Sequence, residues 1–364
     1  MEIIVKSKEL ENALNCISKV LPSKSTMEIL SGILIEGKDE LNLISTDLEN
    51  TIKVSMKCNF KKGSILIPGK QFISLIKQIP DEEIKITQIE NEVEISNENI
   101  KYKFILMNTD DFPKTSKITP KVKFTLNGVI LKEAIEKIKF CVDPDEPRPH
   151  FKGGLLEVKN NKINFVGTDG RRLTLRTIET ESKNEKIKVL LSVKLMNILS
   201  DLLIDEDIDI SIGKNQIIFK FSNILLISQL LSGAEDFPEY ERVIPDEKKS
   251  KVAIIERENF LSTLKRTSLF TNERYNKLMI SIGKSSMVIS VSSPEIGHGQ
   301  ERISVEYEGE EINFAFPPEF LIEFLQKVND EKIIFAFTEN TKPVLLRPES
   351  DNNFIYVSMP LKTK

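Results

Sequence analysis

The sequence predicts an α+β fold made of three tandem copies of one domain, each with two helices and antiparallel strands. Three observations support this prediction: motifs that recur about every 124 residues, alternating apolar and polar residues typical of strands, and two helical patterns in each third of the chain. The 364 residues also exceed what one core usually organises, because a domain commonly holds about 100–200 residues.

The repeat is clearest around a short turn motif. STDLE at 45–49 returns as GTDGRRL at 167–173, and SSPEI at 292–296 stands in the third place. DFP occurs at 111–113 and again at 236–238. This period is much longer than the roughly 20–50 residues of solenoid repeats, so each copy is expected to be a complete domain. We predict domains at 1–120, 121–247 and 248–364, with joints in the polar, proline-bearing stretches 115–121 and 244–251.

Strands and helices follow from the spacing of apolar residues. Alternation at 84–87, 92–96, 208–212 and 288–291 predicts half-buried strands, and turn residues at 90–92 and 213–215 predict antiparallel hairpins. Apolar residues at helical spacing predict three helices at 7–21, 128–142 and 256–270, and three more at 69–79, 192–203 and 317–328. Ser192 is a capping residue, and prolines 317 and 318 suit a first helical turn.

Composition narrows the class of protein. The net charge of −4 argues against a surface that is basic throughout, although it is compatible with a basic lining and an acidic exterior. Cys16, Cys58 and Cys141 are far apart and outside any CxxC spacing, so we predict buried thiols rather than a disulfide or a zinc site. The N-terminal MEIIVKSKELENAL has no secretory pattern and no apolar run approaches 18 residues, which predicts a cytoplasmic protein with no membrane partner.

Signs of catalysis are weak. His150 and His298 are the only histidines, and the sequence has no phosphate-binding loop and no nucleophile motif. Asp169 reads either as a reactive carboxylate or, as we favour because Asp47 occupies the matching place, as the capping residue of a tight turn. We therefore predict no catalytic residue, no metal and no cofactor. A nucleic-acid enzyme that uses Asp47 and Asp169 with a metal stays an alternative, as does a monomeric three-repeat scaffold.

Basic residues give only a modest indication of function. Arg171 and Arg172 have no counterpart in the first copy, so they are either a solvated surface pair or a feature peculiar to the second copy. The segment 69–79 has two lysines and no acid, 128–142 has a net charge of +1, and 317–330 a net charge of −2. Helix charge alone does not indicate nucleic acid.

TDLE, GTDGRRL, DFPEYERVIP and the C-terminal YVSMPL, in this order along the whole chain, resemble the bacterial DNA polymerase III beta subunit family. The resemblance implies the DNA clamp fold, in which two three-domain protomers pair head to tail as a ring with helices inside and sheet outside. It implies a non-catalytic processivity factor that encircles double-stranded DNA. It also implies that the replicative polymerase, the clamp loader and other proteins with a clamp-binding motif are partners, together with a second copy of the chain.

The resemblance also assigns candidate residues. The peptide-binding pocket, between the second and third domains, would comprise Phe151, Thr168, Gly170, Arg171, Arg172, Leu173, Pro238, Arg242, Val243, Tyr275, Pro317, Phe320, Pro343, Val344, Val357, Ser358, Met359, Pro360 and Leu361. Expected DNA contacts are Lys24, Lys70, Lys77, Arg148 and His150, and the expected dimer interface contains Tyr102, Phe104, Leu269 and Phe270. Two departures from the family concern peptide preference: Lys362 replaces a common arginine, and Pro317 a common asparagine.

Overall fold

The computed structural model describes residues 1–22, 24–114, 119–180, 186–272, 274 and 276–362. Six helices occur in these ranges, each where the sequence predicted one. They are α1 Ser7–Ile17, α2 Gly69–Ile76, α3 Gly128–Ile138, α4 Val193–Leu202, α5 Arg257–Ser268 and α6 Pro318–Leu325. The helices end one to four residues before the predicted limits. After α3, for example, the backbone tightens into a 3-10 turn at Lys139–Cys141.

Strands make up most of the remaining regular structure in the described ranges. The first copy contains β1 Glu2–Lys6, β2 Gly32–Gly37, β3 Leu41–Thr46, β4 Asn50–Met56, β5 Asn59–Lys61, β6 Gly63–Pro68, β7 Glu83–Ile89, β8 Glu92–Ser96 and β9 Lys101–Ile105. The second contains β10 Val122–Asn127, β11 Gly153–Lys159, β12 Lys162–Thr168, β13 Arg172–Glu179, β14 Ile187–Ser192, β15 Asp207–Ile212, β16 Gln216–Phe221 and β17 Ile224–Gln229. The third contains β18 Lys251–Glu256, β19 Leu278–Gly283, β20 Ser286–Ser293, β21 Gly297–Glu306, β22 Ile312–Phe316, β23 Lys332–Phe337, β24 Val344–Pro348 and β25 Phe354–Ser358.

These strands form three antiparallel sheets. Their orders are β5-β1-β7-β8-β9, β10-β15-β16-β17-β4-β3-β2-β6 and β14-β11-β12-β13-β25-β24-β23-β18-β21-β20-β19-β22. In every copy one helix follows the first strand and the other precedes the last three strands. The predicted α+β repeat of two helices and antiparallel strands is confirmed.

The chain packs as two compact units. The first contains Met1–Lys132 and Asn197–Leu230, and the second contains Glu133–Met196 and Leu231–Lys364. Within each unit the last strand of one copy pairs with an earlier strand of the preceding copy. In the first unit β17 pairs with β4, and in the second unit β25 pairs with β13. We call these two strand pairs the seams. The limits predicted for the three domains stay predictions, and part of the joint at 115–121 lies outside the described residues.

The core of the second unit is rich in aromatic side chains. Phe324 of α6 is fully buried and stacks on Tyr356, with ring centroids 4.9 Å apart, and its ring also lies 5.5 Å from that of Phe354. Burying such rings contributes much of the stability of a core, because each removes a large apolar area from water.

The three cysteines differ from the prediction of buried thiols. Cys141 is buried, and burial raises the pKa of its thiol well above the ordinary value, so it stays protonated. Cys16 and Cys58 are only half-buried. The prediction is therefore correct for one thiol and wrong for the other two: Cys16 lies near the end of α1 and Cys58 in the bend between β4 and β5.

Gly167 of β12 shows how closely α3 approaches the sheet. A Cβ atom at this position would lie 2.3 Å from the carbonyl oxygen of Ile138, which closes α3. The Thr174 hydroxyl on the neighbouring β13 donates to the carbonyl of Lys137 at 2.8 Å. Glycine is therefore required here by space, because backbone atoms cannot move aside as the end of a flexible side chain can.

We predict that Gly167→Ala lowers the free energy of unfolding by about 1–3 kcal/mol, the usual cost of overpacking. Gly283→Ala is the matched control, because the nearest atoms to its added Cβ are 3.8 Å away. That change is expected to alter stability by less than about 0.5 kcal/mol. Urea unfolding followed by circular dichroism measures both, and equal midpoints for the two variants would contradict the prediction.

Candidate functional site

The GTDGRRL motif forms a tight turn between β12 and β13. The Asp169 carboxylate accepts hydrogen bonds from the backbone N–H groups of Arg171 and Arg172 at 2.9 and 3.0 Å. The Thr168 hydroxyl accepts from the Gly170 N–H at 3.0 Å, and Gly170 has a φ of 84°. Asp169 is thus a capping residue, as predicted.

The first copy repeats this turn with a different residue at its tip. Asp47 accepts from the N–H groups of Glu49 and Asn50 at 3.0 and 2.6 Å, and Leu48 takes the left-handed position with a φ of 76°. Both aspartates use their oxygens within the turn. The described residues contain no group of three or more histidine, cysteine or carboxylate side chains arranged to hold a metal ion.

Arg172 connects the turn to α6. Its guanidinium donates to Asp169 at 3.0 Å and to the Phe140 carbonyl at 3.0 Å, forms an ion pair with Glu323, and lies 4.4 Å from the centroid of the Phe320 ring. Only 11% of this side chain is exposed. The interpretation of Arg172 as a solvated surface residue is therefore wrong, whereas Arg171 is exposed.

The seam between β13 and β25 supplies an apolar floor. Leu173 lies opposite Val357, and Ser358 lies opposite both Arg172 and Val344. The floor belongs to a cluster of buried residues, which are Phe151, Leu155, Val166, Leu173, Leu175, Leu190, Phe237, Tyr240 and Val357. The structure thus brings together the central residues of the predicted pocket.

Two segments border this floor with exposed apolar side chains. Val243 is 47% exposed, and Met359 and Leu361 are 42% and 37% exposed. The Met359 N–H donates to the carbonyl of Arg171 at 3.1 Å, which fixes the start of the C-terminal tail beside the turn. Exposed apolar groups around a buried apolar floor are typical of binding sites.

The remaining predicted pocket residues occupy several positions. The exposed Pro238 and Arg242 belong to the same segment as Val243, and Pro343 directly precedes β24. Pro317 is buried at the start of α6 and accepts the N–H of Phe320 at 3.2 Å, whereas Pro360 is half-buried in the tail. Tyr275 lies outside the described residues.

The five residues predicted to contact DNA differ in surroundings. Lys24 is exposed in the loop after α1, and Lys70 and Lys77 are exposed at the two ends of α2. Arg148, by contrast, donates to the Asp169 carbonyl at 3.3 Å and lies 4.4 Å from the centroid of the Phe151 ring. The His150 ring also packs edge-on to Phe151, at 4.3 Å.

The residues predicted at the dimer interface lie in two places, on the edge strand β9 and directly after α5. Tyr102 and Phe104 belong to β9, the edge strand of the five-stranded sheet, and Tyr102 is 50% exposed. Leu269, which is 74% exposed, and Phe270 directly follow α5. A Cβ atom added at Gly297 or Gly299 of β21 would lie 3.9 or 4.0 Å from the Phe270 ring.

Three polar residues behind the site were not predicted from the sequence. Tyr240 donates to Glu157 at 2.5 Å and accepts from Asn164 at 2.9 Å, and all three are buried. A usable signal was present, because Glu157 is a single acid within the apolar strand GGLLEVK. Buried acids require a hydrogen-bonding partner.

Comparison with known proteins covers nearly the whole chain. Family models of the DNA polymerase III beta subunit match here: the N-terminal domain at 1–116, the central domain at 125–239 and the C-terminal domain at 241–362. The beta sliding clamp of Staphylococcus epidermidis is 27% identical over 100% of both chains, and that of Chlamydia pneumoniae 28% identical over 99% of both. The solved sliding clamp of Bacillus subtilis is 26% identical, covers 100% of both chains and superimposes with a TM-score of 0.93.

No helix among the described residues is long and apolar enough to cross a membrane. Three consecutive family models, the full-length relatives and the repeated two-helix architecture agree with one another. The chain therefore belongs to the DNA polymerase III beta subunit family, the beta sliding clamps, which act in DNA replication as non-catalytic processivity factors.

Proposed function

We propose that two copies of this chain close head to tail around duplex DNA, and that the site around Leu173 and Val357 tethers the replicative polymerase, the clamp loader and other peptide-bearing partners. The observation that carries the proposal is the repeated seam. A seam joins consecutive copies twice within the chain. Among the described strands, β9 and the 297–304 part of β21 form one matching pair of edges without a partner, because β21 pairs with β18 only at Val305 and Glu306.

The strand registers identify these free edges. At the seams, Leu226 of β17 lies opposite Ile52, and Tyr356 of β25 lies opposite Thr174. Counting along the ladders places Tyr102 of β9 in the position of Leu226 and Tyr356. The first copy has no preceding copy in the chain, so β9 stays at the edge of its sheet.

Gly299 of β21 occupies the position that Ile52 and Thr174 hold in the other copies. The same seam between two molecules would therefore place Tyr102 opposite Gly299 of the partner subunit and Lys103 opposite His298 of the partner subunit. An exposed edge strand carries unpaired N–H and C=O groups, and pairing satisfies them. Joining unlike edges, twice, closes a two-membered ring.

Aromatic contacts at the second seam support this register. Phe140, two residues after α3, stacks on Tyr356 with ring centroids 6.0 Å apart. Counted from the helix starts Gly128 and Arg257, Leu269 is the equivalent of Phe140, as Tyr102 is of Tyr356. We therefore expect Leu269 to pack on Tyr102 of the partner subunit, which explains why these side chains are 74% and 50% exposed in the single chain.

The charges suit a ring that slides. The exposed residues of α2 are Lys70, Gln71, Ser74 and its C-cap Lys77, with no carboxylate among them. Lys24, Lys70 and Lys77 form no ion pair with the residues that the structure describes, so their ammonium groups are available to phosphates. A few phosphate contacts hold the duplex without reading bases, while a strongly basic lining would impede movement.

The site on the second unit has the chemistry of a peptide pocket. Its floor is apolar, Val243, Met359 and Leu361 are exposed at its border, and Arg171 and Arg242 are exposed cations nearby. An extended peptide with apolar anchors and a carboxylate would match these groups. Methionine at the border adapts its side chain to different partners. The monomeric scaffold is the second candidate, and the oligomeric state separates the two.

The register is tested by a cysteine pair. We predict that Lys103→Cys with His298→Cys gives mainly a covalent dimer on mild oxidation, because directly opposite residues have Cβ atoms about 4.5–5.5 Å apart. Lys103→Cys with Gln300→Cys is the control, since it is two residues out of register. The parent chain shows the background from Cys16 and Cys58. A monomer in sedimentation, or equal crosslinking of both pairs, would contradict the proposed ring.

DNA contact is tested by charge removal. We predict that replacing Lys24, Lys70 and Lys77 with alanine weakens duplex binding and lowers the slope of log K against log salt by about 0.9 for each phosphate that is no longer neutralised. The control removes the same charge at the exposed Lys62, Lys162 and Lys214, which are on or beside strands. Equal slopes for the two triple variants would rule out these three residues as phosphate contacts.

The pocket is tested with a fluorescein-labelled pentapeptide that carries leucine and phenylalanine anchors and a free carboxylate. We predict that Met359→Ala raises its Kd by about fivefold, the effect of losing one or two buried methylene equivalents. Met27→Ala is matched, because Met27 is 48% exposed but lies outside the site. Fluorescence anisotropy measures the Kd of both variants. An unchanged Kd for Met359→Ala would contradict the proposal that the C-terminal tail forms part of the pocket.

A further inference from the structure

The segment that carries Pro238, Arg242 and Val243 contains no strand or α-helix. It lies between β17 and β18, and its regular structure consists of short 3-10 turns, among them Tyr240–Val243. These three residues are exposed, so their own side chains do not fix the segment. Within 237–243 the buried members are Phe237 and Tyr240. Beyond Val243, Ile244 packs against the same apolar cluster and Glu247 forms an ion pair with Arg347.

The Phe237 side chain makes apolar contacts, which do not fix an orientation as hydrogen bonds do. Its ring packs edge-on against Phe151 at 6.1 Å and against Tyr240 at 6.5 Å. Apolar packing of this kind tolerates small shifts, whereas hydrogen bonds between buried groups have a narrow range of distance and angle. The Tyr240 hydroxyl makes buried hydrogen bonds, so it restricts the position of 237–243 more narrowly than apolar packing does.

A polar row across three strands provides the partners of Tyr240. Glu157 of β11 lies opposite Asn164 of β12, which lies opposite Thr177 of β13. Thr177 donates to the side-chain oxygen of Asn164 at 2.9 Å, Asn164 donates to the Tyr240 oxygen, and the Tyr240 hydroxyl donates to Glu157. The next row on the same sheet face, Leu155, Val166 and Leu175, belongs to the apolar cluster that contains the Tyr240 ring.

The charge of the row strengthens this anchor. Lys188 of β14 forms an ion pair with the other Glu157 oxygen at 3.4 Å. Burial, followed by the hydrogen bond to Glu157, raises the pKa of Tyr240 well above its ordinary value and keeps its hydroxyl a donor. Hydrogen bonds to charged acceptors are about twice as strong as neutral ones.

We propose that Tyr240 is a positioning residue of the peptide site: its hydrogen bond to Glu157 holds the wall formed by Pro238, Arg242 and Val243 in the geometry that a partner peptide requires. The inference rests on the proposed peptide-binding function. It adds that affinity depends on a buried polar row that no peptide touches, because a wall left loose must be ordered at each binding event.

The test compares two identical substitutions. Tyr240→Phe keeps the ring and removes the anchor, and we expect it to raise the Kd of the labelled pentapeptide about threefold to tenfold. Tyr307→Phe is the matched control, because Tyr307 is equally buried and its hydroxyl donates to the Glu310 carbonyl at 3.0 Å away from the site. Its Kd is expected to equal that of the parent chain.

A second variant and a double-mutant cycle separate positioning from general destabilisation. Glu157→Gln should also raise the Kd of the labelled pentapeptide. In a Val243→Ala background, the effect of Tyr240→Phe on Kd should shrink, because both residues act through one wall. If both Tyr240→Phe and Glu157→Gln bind with the parent Kd, the inference is overturned while the pocket stands. If the parent chain does not bind the pentapeptide, both the proposed pocket and this inference are contradicted.

Discussion

Pairing between the last strand of one copy and an earlier strand of its neighbour is the interaction on which the rest of this structure depends. It occurs as β17 with β4 in the first unit and as β25 with β13 in the second. Each pairing satisfies backbone groups that a free edge would expose to other chains. Because the copies share one ladder register, the edges that the described strands leave for a third pairing of the same kind are β9 and the 297–304 part of β21. We propose that ring closure uses this same kind of strand pairing between two molecules.

The second seam also builds the candidate pocket. It places Leu173 opposite Val357 and brings the Asp169 turn to the start of the C-terminal tail. Arg172 then links that turn to α6, so the floor of the site is as rigid as the sheet it belongs to. The exposed wall at 238–243 contains no strand, and we propose that Tyr240 positions it. The candidate site thus joins a floor of paired strands to a border that lies outside the sheet.

Sequence patterns predicted those features that depend on neighbours in the chain. The repeat indicated the number and type of domains, helical spacing placed all six helices, and Asp169 was correctly assigned to a turn. Contacts between residues that are far apart in the sequence were harder to predict. Arg172 meets Glu323 across 151 positions and Tyr240 meets Glu157 across 83, so no local pattern could pair them. The prediction that Arg148 contacts DNA stays a prediction, and its hydrogen bond to the Asp169 carbonyl, 21 positions away, was not predicted.

Encirclement of DNA is the property that separates a closed ring from a scaffold that merely binds the duplex. It is tested by loading the protein onto nicked circular DNA with an ATP-driven clamp loader and then cutting the circle at one site. We expect the protein to stay on the circle through a high-salt wash and to slide off the ends after cutting. Equal, salt-sensitive binding to circular and linear DNA, with loading verified by a known clamp, would contradict the ring.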